Sequence, residues 1–228
     1  MTGPERAFYA RRGSTTGDLR TILHLPYTVW HLSYVLIGAA LAADLDWVRL
    51  AGTLVAFAAG LGVAAHALDE VHDRPLATNL SDRTLWALGA GGLIVAGGVA
   101  VAGAFVISPW ILAWAVGGVG LTFAYALEWS DLVHSDLGFG LAWGAFPVLV
   151  GYWAQAEAIT GQVVLAAGLA TALSLVQRSL SSATKTIRRT SVPMDPENER
   201  LLATWERPLR ILSVAVPLLA LTLLAAHI

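Results

Sequence analysis

Long, mostly apolar stretches constrain this chain more than any other feature. Seven of them lie at approximately 26–43, 47–68, 84–106, 108–127, 137–156, 159–176 and 209–227. A helix needs roughly 20 mostly apolar residues to cross a ~30 Å hydrocarbon core. In lipid the backbone has no water to bond to, so a crossing segment must be a helix or part of a closed barrel. The in-out alternation of a barrel strand is absent, which leaves helices. Composition agrees: 13% of the residues are charged, against about 25% in ordinary soluble domains, and the mean hydropathy is +0.64.

The placement of charge predicts a topology. With the N-terminus cytoplasmic, Arg49 is the one member of the 14 lysines and arginines that falls outside, a strong positive-inside bias. The acids follow the same pattern, with Asp44, Asp46 and Glu157 outside. His24, His31, His66, His72 and His134 lie at or near the inner ends, and His227 lies outside. Positive-inside sorting accounts for the arginines but not for acids and histidines collecting at the same face. Residues 1–25 read as a cytoplasmic N-terminal tail with a short surface helix ahead of Pro26, and residues 26–228 as the transmembrane helical domain. The tail lacks the apolar core and small-residue cleavage site of a signal peptide. A net charge of −2 argues against a nucleic-acid partner, and the lack of cysteine excludes disulfides, zinc–thiolate sites and thiol nucleophiles.

Three polar clusters stand out. At the end of the second stretch, His66, Asp69, Glu70 and Asp73 are spaced to share one helical face. Acids crowded without a basic partner repel one another, and a divalent cation relieves that repulsion. Carboxylates suit Mg²⁺, whereas imidazole with carboxylate suits zinc, iron or manganese. The plainer expectation is a solvated helix end whose acids pair with loop arginines. After the fourth stretch, Glu128, Asp131 and His134 recur every three residues, a spacing that dimetal carboxylate proteins use but that also arises by chance. On the sixth, Arg178, Ser181, Ser182, Lys185, Arg188 and Arg189 share one face. Arginine forks and hydroxyls suit phosphate oxygens, and a polybasic segment beside a membrane equally suits anionic lipid headgroups. His31, inside the first stretch, is a further candidate ligand or a hydrogen bond to a neighbouring helix. Gly60, Gly62, Gly89, Gly91, Gly92, Gly97 and Gly98 read as sites of close helix packing.

These segments resemble the UbiA superfamily of intramembrane prenyltransferases. The family's first motif, roughly N-D-x-x-D-x-x-x-D followed by R-P-L, aligns with Ala65, His66, Asp69, Asp73 and then Arg74-Pro75-Leu76. Its tyrosine segment leading to W-G-x-x-P aligns with Tyr125 and with Trp143-Gly144 through Pro147. The sequence departs from the pattern at Ala65 and His66, at Glu128 where the family tends to be basic, and after the sixth stretch, where the basic stripe replaces a second aspartate-rich motif. It also carries seven stretches where members commonly have nine spans. The resemblance implies a UbiA-like bundle of about seven transmembrane helices, its active face cytoplasmic.

It also implies an enzyme that acts on an isoprenoid diphosphate by metal-assisted transfer or cyclisation. Asp69 and Asp73, with Glu70, would hold Mg²⁺; Tyr125 and Glu128 would act at the reacting centre. Arg178, Ser182, Lys185, Arg188 and Arg189 would bind diphosphate. The alternative on the same fold is a transition-metal enzyme, with iron or zinc on His66, Asp69, Glu70, Asp73, Glu128, Asp131, His134 and His31, oxidising or hydrolysing a lipid. A third expectation is a non-catalytic lipid-binding subunit, and an oligomer or partner subunit is compatible with all three.

Overall fold

The structure, a computed structural model, describes residues 7–10, 14–126, 128, 131–190 and 194–228, the side chain of Asp73 excepted. All regular structure among these residues is helical. In chain order the helices are α1 (Thr15–Ile22), α2 (Leu25–Ala40), α3 (Trp47–Phe57), α4 (His66–Asp73), α5 (Asp82–Val106), α6 (Ile111–Ala126), α7 (Asp131–His134), α8 (Asp136–Gly140), α9 (Phe146–Ala156), α10 (Gly161–Thr190) and α11 (Pro196–Leu224). Two π-helical stretches, Ala58–Ala65 and Leu141–Ala145, join α3 to α4 and α8 to α9 without a break.

Local sequence explains where helices begin. Ser14, Asp46, Ser81, Ser135 and Asp195 each cap a helix by accepting a hydrogen bond from a first-turn backbone N–H, which satisfies donors that have no partner within the helix. α4 ends at Arg74, whose backbone turns left-handed ahead of Pro75. Pro147 falls on the first turn of α9, directly after the π-helical stretch, where a missing N–H costs least.

Five helical runs among the described residues are long and apolar enough to cross a membrane: Trp47–His72, Asp82–Val106, Asp136–Ala156, Gly161–Thr190 and Pro196–His227. They correspond to five of the seven stretches found in the sequence. The other two fold as α2 and α6, of 16 residues each, or about 24 Å at 1.5 Å per residue. Ile94, Phe105 and Val116 on α5 and α6 point away from the protein, as lipid-facing side chains do. At one end of the bundle Arg49 pairs with Glu157 (3.2 Å), and the backbone N–H of Asp46 donates to Gln155 Oε1 (2.8 Å). His227 bonds the Ala40 carbonyl at the same end (2.9 Å).

The core forms where α2 lies against α9 and α11. Trp30, Tyr34, Val148, Val163 and Ala220 are fully buried there, and the Trp30 indole N–H donates to the Tyr34 hydroxyl. α2 and α9 approach at backbone distance. A Cβ at Gly38 would sit 2.0 Å from the Val148 carbonyl oxygen, and one at Gly151 2.3 Å from that of Val35. The close-packing expectation holds for Gly62, Gly89 and Gly92, which abut Thr28, Leu68 and the Ala59 carbonyl. It fails for Gly91, Gly97 and Gly98, where nothing lies within 4 Å of an added Cβ. Gly151→Ala is therefore expected to lower the thermal midpoint in detergent steeply, because the α2–α9 contact must open. Gly98→Ala, in open space on a helix interior, is expected to raise stability by up to about 1 kcal/mol. Equal effects from the two substitutions would refute this packing account.

Candidate functional site: a polar cavity at one end of the bundle

The end opposite Arg49 holds a cavity of about 870 Å³, lined by residues of α2, α4, α6, α8, α10 and the segments around them. Each π-helical stretch delivers residues to it. The first carries Leu61 and Ala65 and leads into His66; the second carries Trp143. π-Helical insertions occur often at functional sites because they re-aim side chains that a regular helix would place elsewhere. Non-glycine residues with positive φ tell the same story. His24, Arg74, Ala77 and Glu128 all line the cavity, and Glu157 lies at the other end. Such backbone is costly and tends to persist where surrounding structure holds a side chain in place for use.

The wall formed by α2 and α4 is rich in imidazole. His31 donates Nδ1–H to the Trp143 carbonyl (2.8 Å) and His66 donates Nδ1–H to the Gly62 carbonyl (3.1 Å). A carbonyl only accepts, so in the neutral rings Nε2 is left with its lone pair. His24 stacks on His66 with ring centres 4.4 Å apart, and the Tyr9 hydroxyl lies 3.4 Å from His24 Nδ1. Burial holds the His24 pKa well below its ordinary value, with repulsion from His66 and then His31 adding to the effect. Burial likewise raises the Tyr9 pKa, with Tyr27 adding to it. His24, Tyr9 and Gln177 were not among the site residues expected from sequence. His24 was visible as one of the histidines at this face, but nothing in the sequence marks Tyr9 or Gln177. Gln177 is 4% exposed, and its Oε1 has no hydrogen-bond partner among the described residues.

The expected acid face on α4 divides. Asp69 lines the cavity, within electrostatic reach of Lys185, Glu70, His134 and Glu128. Glu70 is fully buried and faces the loop after α4. It accepts from the backbone N–H groups of Leu76 and Thr78 and from the Thr78 hydroxyl, each at 2.8 Å. Both of its oxygens are thus engaged in holding that loop. The Asp73 side chain lies outside the described residues. After α6, His134 Nε2 faces Glu128 at 3.5 Å and the ring stacks on Tyr125 (5.0 Å). Asp131 is exposed and does not line the cavity. Among the described residues no three His, Asp or Glu side chains come together as a metal site.

The basic stripe on α10 also divides. Arg178 is engaged throughout: Nε donates to Asp136 (2.5 Å), one terminal nitrogen to the Tyr125 hydroxyl (2.7 Å), the other to the His134 carbonyl (2.8 Å). Its guanidinium also lies over the Phe139 ring. It ties the α6–α8 connection to α10. Arg188 pairs with Glu206 on α11, which Arg210 also contacts (2.8 Å). Lys185, Arg189, Ser181 and Ser182 line the cavity; Lys185 and Arg189 make no ion pair within 4 Å among the described residues. Comparison with protein-family models, with curated proteins and with solved structures found no match.

The neutral state of His24 carries a pH signature. An unfolded histidine titrates near about 6.5, and the folded site resists protonation. Below that pH the unfolded chain binds a proton the folded chain refuses, so stability falls as pH drops and is complete above it. Thermal midpoints in detergent are expected to decline from pH 7.5 to 5, and His24→Phe to flatten the decline. An unchanged slope in that variant would show that His24 is not the group responsible.

Proposed function

We propose that this chain is a UbiA-like membrane enzyme that takes an isoprenoid bearing a diphosphate head into the polar cavity, with that cavity facing the cytoplasm. The observation that carries the reading is the division of the α10 stripe. Arg178 and Arg188 are held by protein partners, while Lys185 and Arg189, which make no ion pair within 4 Å among the described residues, line the cavity with Ser181 and Ser182. Such a wall suits phosphate oxygens. Tyr125 and Trp143 pack edge to face beside it with ring centres 5.4 Å apart, and aromatic faces stabilise a nearby carbocation.

In this reading the bond between the allylic carbon and the diphosphate oxygen breaks, and the electron pair leaves with the diphosphate. Lys185 and Arg189 stabilise the developing negative charge. The allylic cation is then attacked by the π electrons of an acceptor ring or of a double bond in its own chain. The proton released in that step passes to Asp69 or to an imidazole lone pair. The described donors do not fit a resident Mg²⁺, iron or zinc ion: Glu70 is engaged elsewhere and Asp131 lies off the cavity.

Purified chain in lipid nanodiscs is expected to release diphosphate from at least one of geranyl, farnesyl or geranylgeranyl diphosphate, tested with membrane lipid extract as acceptor source and with or without Mg²⁺. Lys185→Met and Arg189→Met are each expected to lower that rate by about 10-fold or more, in keeping with loss of one charge at a leaving group. Absence of release across all three chain lengths, with binding retained, would leave a lipid-binding subunit as the better reading. Stoichiometric iron or zinc in protein purified without added metal would favour oxidative or hydrolytic chemistry instead.

A further inference from the structure

Phe8 and Tyr9 are the two aromatic residues among the first 25, in a tail that carries Arg6, Arg11, Arg12 and Arg20. The turn they form is closed by its own hydrogen bond, from the Ala10 N–H to the Ala7 carbonyl (2.9 Å), and Ala7, Tyr9 and Ala10 line the polar cavity. Two helices far apart in sequence hold the turn. On one side the Tyr9 ring packs against His24 (4.9 Å between ring centres) and Tyr27 (5.4 Å) around the start of α2, and its hydroxyl lies 3.4 Å from His24 Nδ1. On the other side the Arg210 guanidinium of α11 lies over the Phe8 ring at 4.8 Å. Tyr9 is also within electrostatic reach of Arg188 and Asp69, which places its ring among the α2, α4 and α10 walls of the cavity. The manner of attachment sets this segment apart from the others at this end. Glu70 ties the loop after α4 through two backbone N–H groups and a hydroxyl, and Arg178 ties the α6–α8 connection. Among the described residues no backbone group of Ala7–Ala10 bonds to a helix; ring faces and one long hydrogen bond hold it.

We propose that Ala7–Ala10 is a strap that closes over the imidazole wall of the cavity, latched by Phe8 against Arg210, and that its release opens that wall to ligand. Two opposed contributions set the balance. Ring packing on His24 and Tyr27 and the cation over Phe8 favour the closed state. Against them stands His24, whose Nε2 is buried with no hydrogen-bond partner among the described residues. A buried polar atom without a partner costs free energy, and release of the strap would hydrate it. Arg210 suits the role of latch because its side chain is 58% exposed, and a cation–π contact near water is weak enough to break readily. Arg210 also bonds Glu206, which holds Arg188 on the cavity lining. Two ion pairs thus link the outer contact of the strap to a residue of the chamber itself. The proposal does not depend on which ligand the cavity takes.

Diethyl pyrocarbonate, which modifies a neutral imidazole it can reach, reads the strap directly. The full chain in nanodiscs is treated at one fixed pH, and each histidine is followed by peptide mass spectrometry. In wild type His24 is expected to react about tenfold or more slowly than His72, which is exposed and off the cavity, as protection by a closed state requires. Arg210→Gln removes the cation over Phe8 without touching the groups around His24. It is expected to speed His24 modification by about threefold or more, the worth of one cation–π contact, with His227 at the far end of the bundle unchanged. Phe8→Ala is expected to do the same while leaving the Glu206 ion pairs in place, and Arg210→Lys to keep most of the protection. If Arg210→Gln and Phe8→Ala both leave His24 as protected as in wild type, the segment is a fixed part of the wall and the proposal is overturned. His24 reacting as fast as His72 in wild type overturns it too, because no closed state is then populated. An equal rise at His227 reports general loosening of the fold and refutes the latch.

Discussion

The backbone contact between α2 and α9 sets the geometry of the polar end. Two glycines, Gly38 and Gly151, let the helices approach until carbonyl oxygens of Val148 and Val35 fill the space a Cβ would take. A contact that close fixes the helices' register and rotation as well as their spacing. His31, nearer the start of α2, is thereby brought against the π-helical stretch ahead of α9, where its Nδ1–H reaches the Trp143 carbonyl. Loosening the glycine contact would move an imidazole and an indole at the cavity wall together.

Around that frame, the ionisable side chains at this end serve two purposes that composition alone cannot separate. One set closes the structure. Glu70 holds the loop after α4, Arg178 holds the connection between α6 and α8, and Glu206 joins α10 to α11. Each is largely withdrawn from water, and burying a charge is costly unless hydrogen bonds or an opposite charge accompany it. The other set, Asp69, Lys185 and Arg189, lines the cavity and meets no comparable demand. Under the proposed function, these are the groups that would act on a ligand.

The helical class, five of the long apolar runs and the gathering of polar residues at one end were legible in the sequence, because hydropathy and spacing report those directly. Face arithmetic was less dependable. It placed Glu70 with His66 and Asp69, since offsets of three and four residues share a stripe. A stripe is broad enough, however, for one member to face a cavity and its neighbour a loop. The same limit applies to Arg178, whose spacing with Lys185 gives no hint that Asp136, Tyr125 and His134 surround it. Glycine content misled in a different way: Gly92 and Gly97 look alike in sequence, yet one meets a backbone carbonyl and the other empty space. Tyr9 and Gln177 reach the cavity through tertiary contacts that no local pattern encodes.

The π-helical stretches show how the polar cavity and an apolar groove between α3, α5, α6 and α9 depend on one device. Successive residues in an α-helix are rotated by about 100°, so a local change of pitch redirects every side chain that follows it. The stretch over Ala58–Ala65 lets one continuous run present groove-lining residues along α3 and then cavity-lining His66 and Asp69 on α4. The stretch over Leu141–Ala145 does the same between Phe139, which lines the cavity, and Phe146, which lines the groove. Leu61 and Trp143 sit inside the two stretches and face both spaces. Without the altered pitch, a regular helix would carry one stripe along its whole length and could not serve a polar chamber at one depth and an apolar one at the next. The partition between the two spaces is thus a property of backbone geometry, and the side chains at the partition, Leu61 and Trp143, are both apolar.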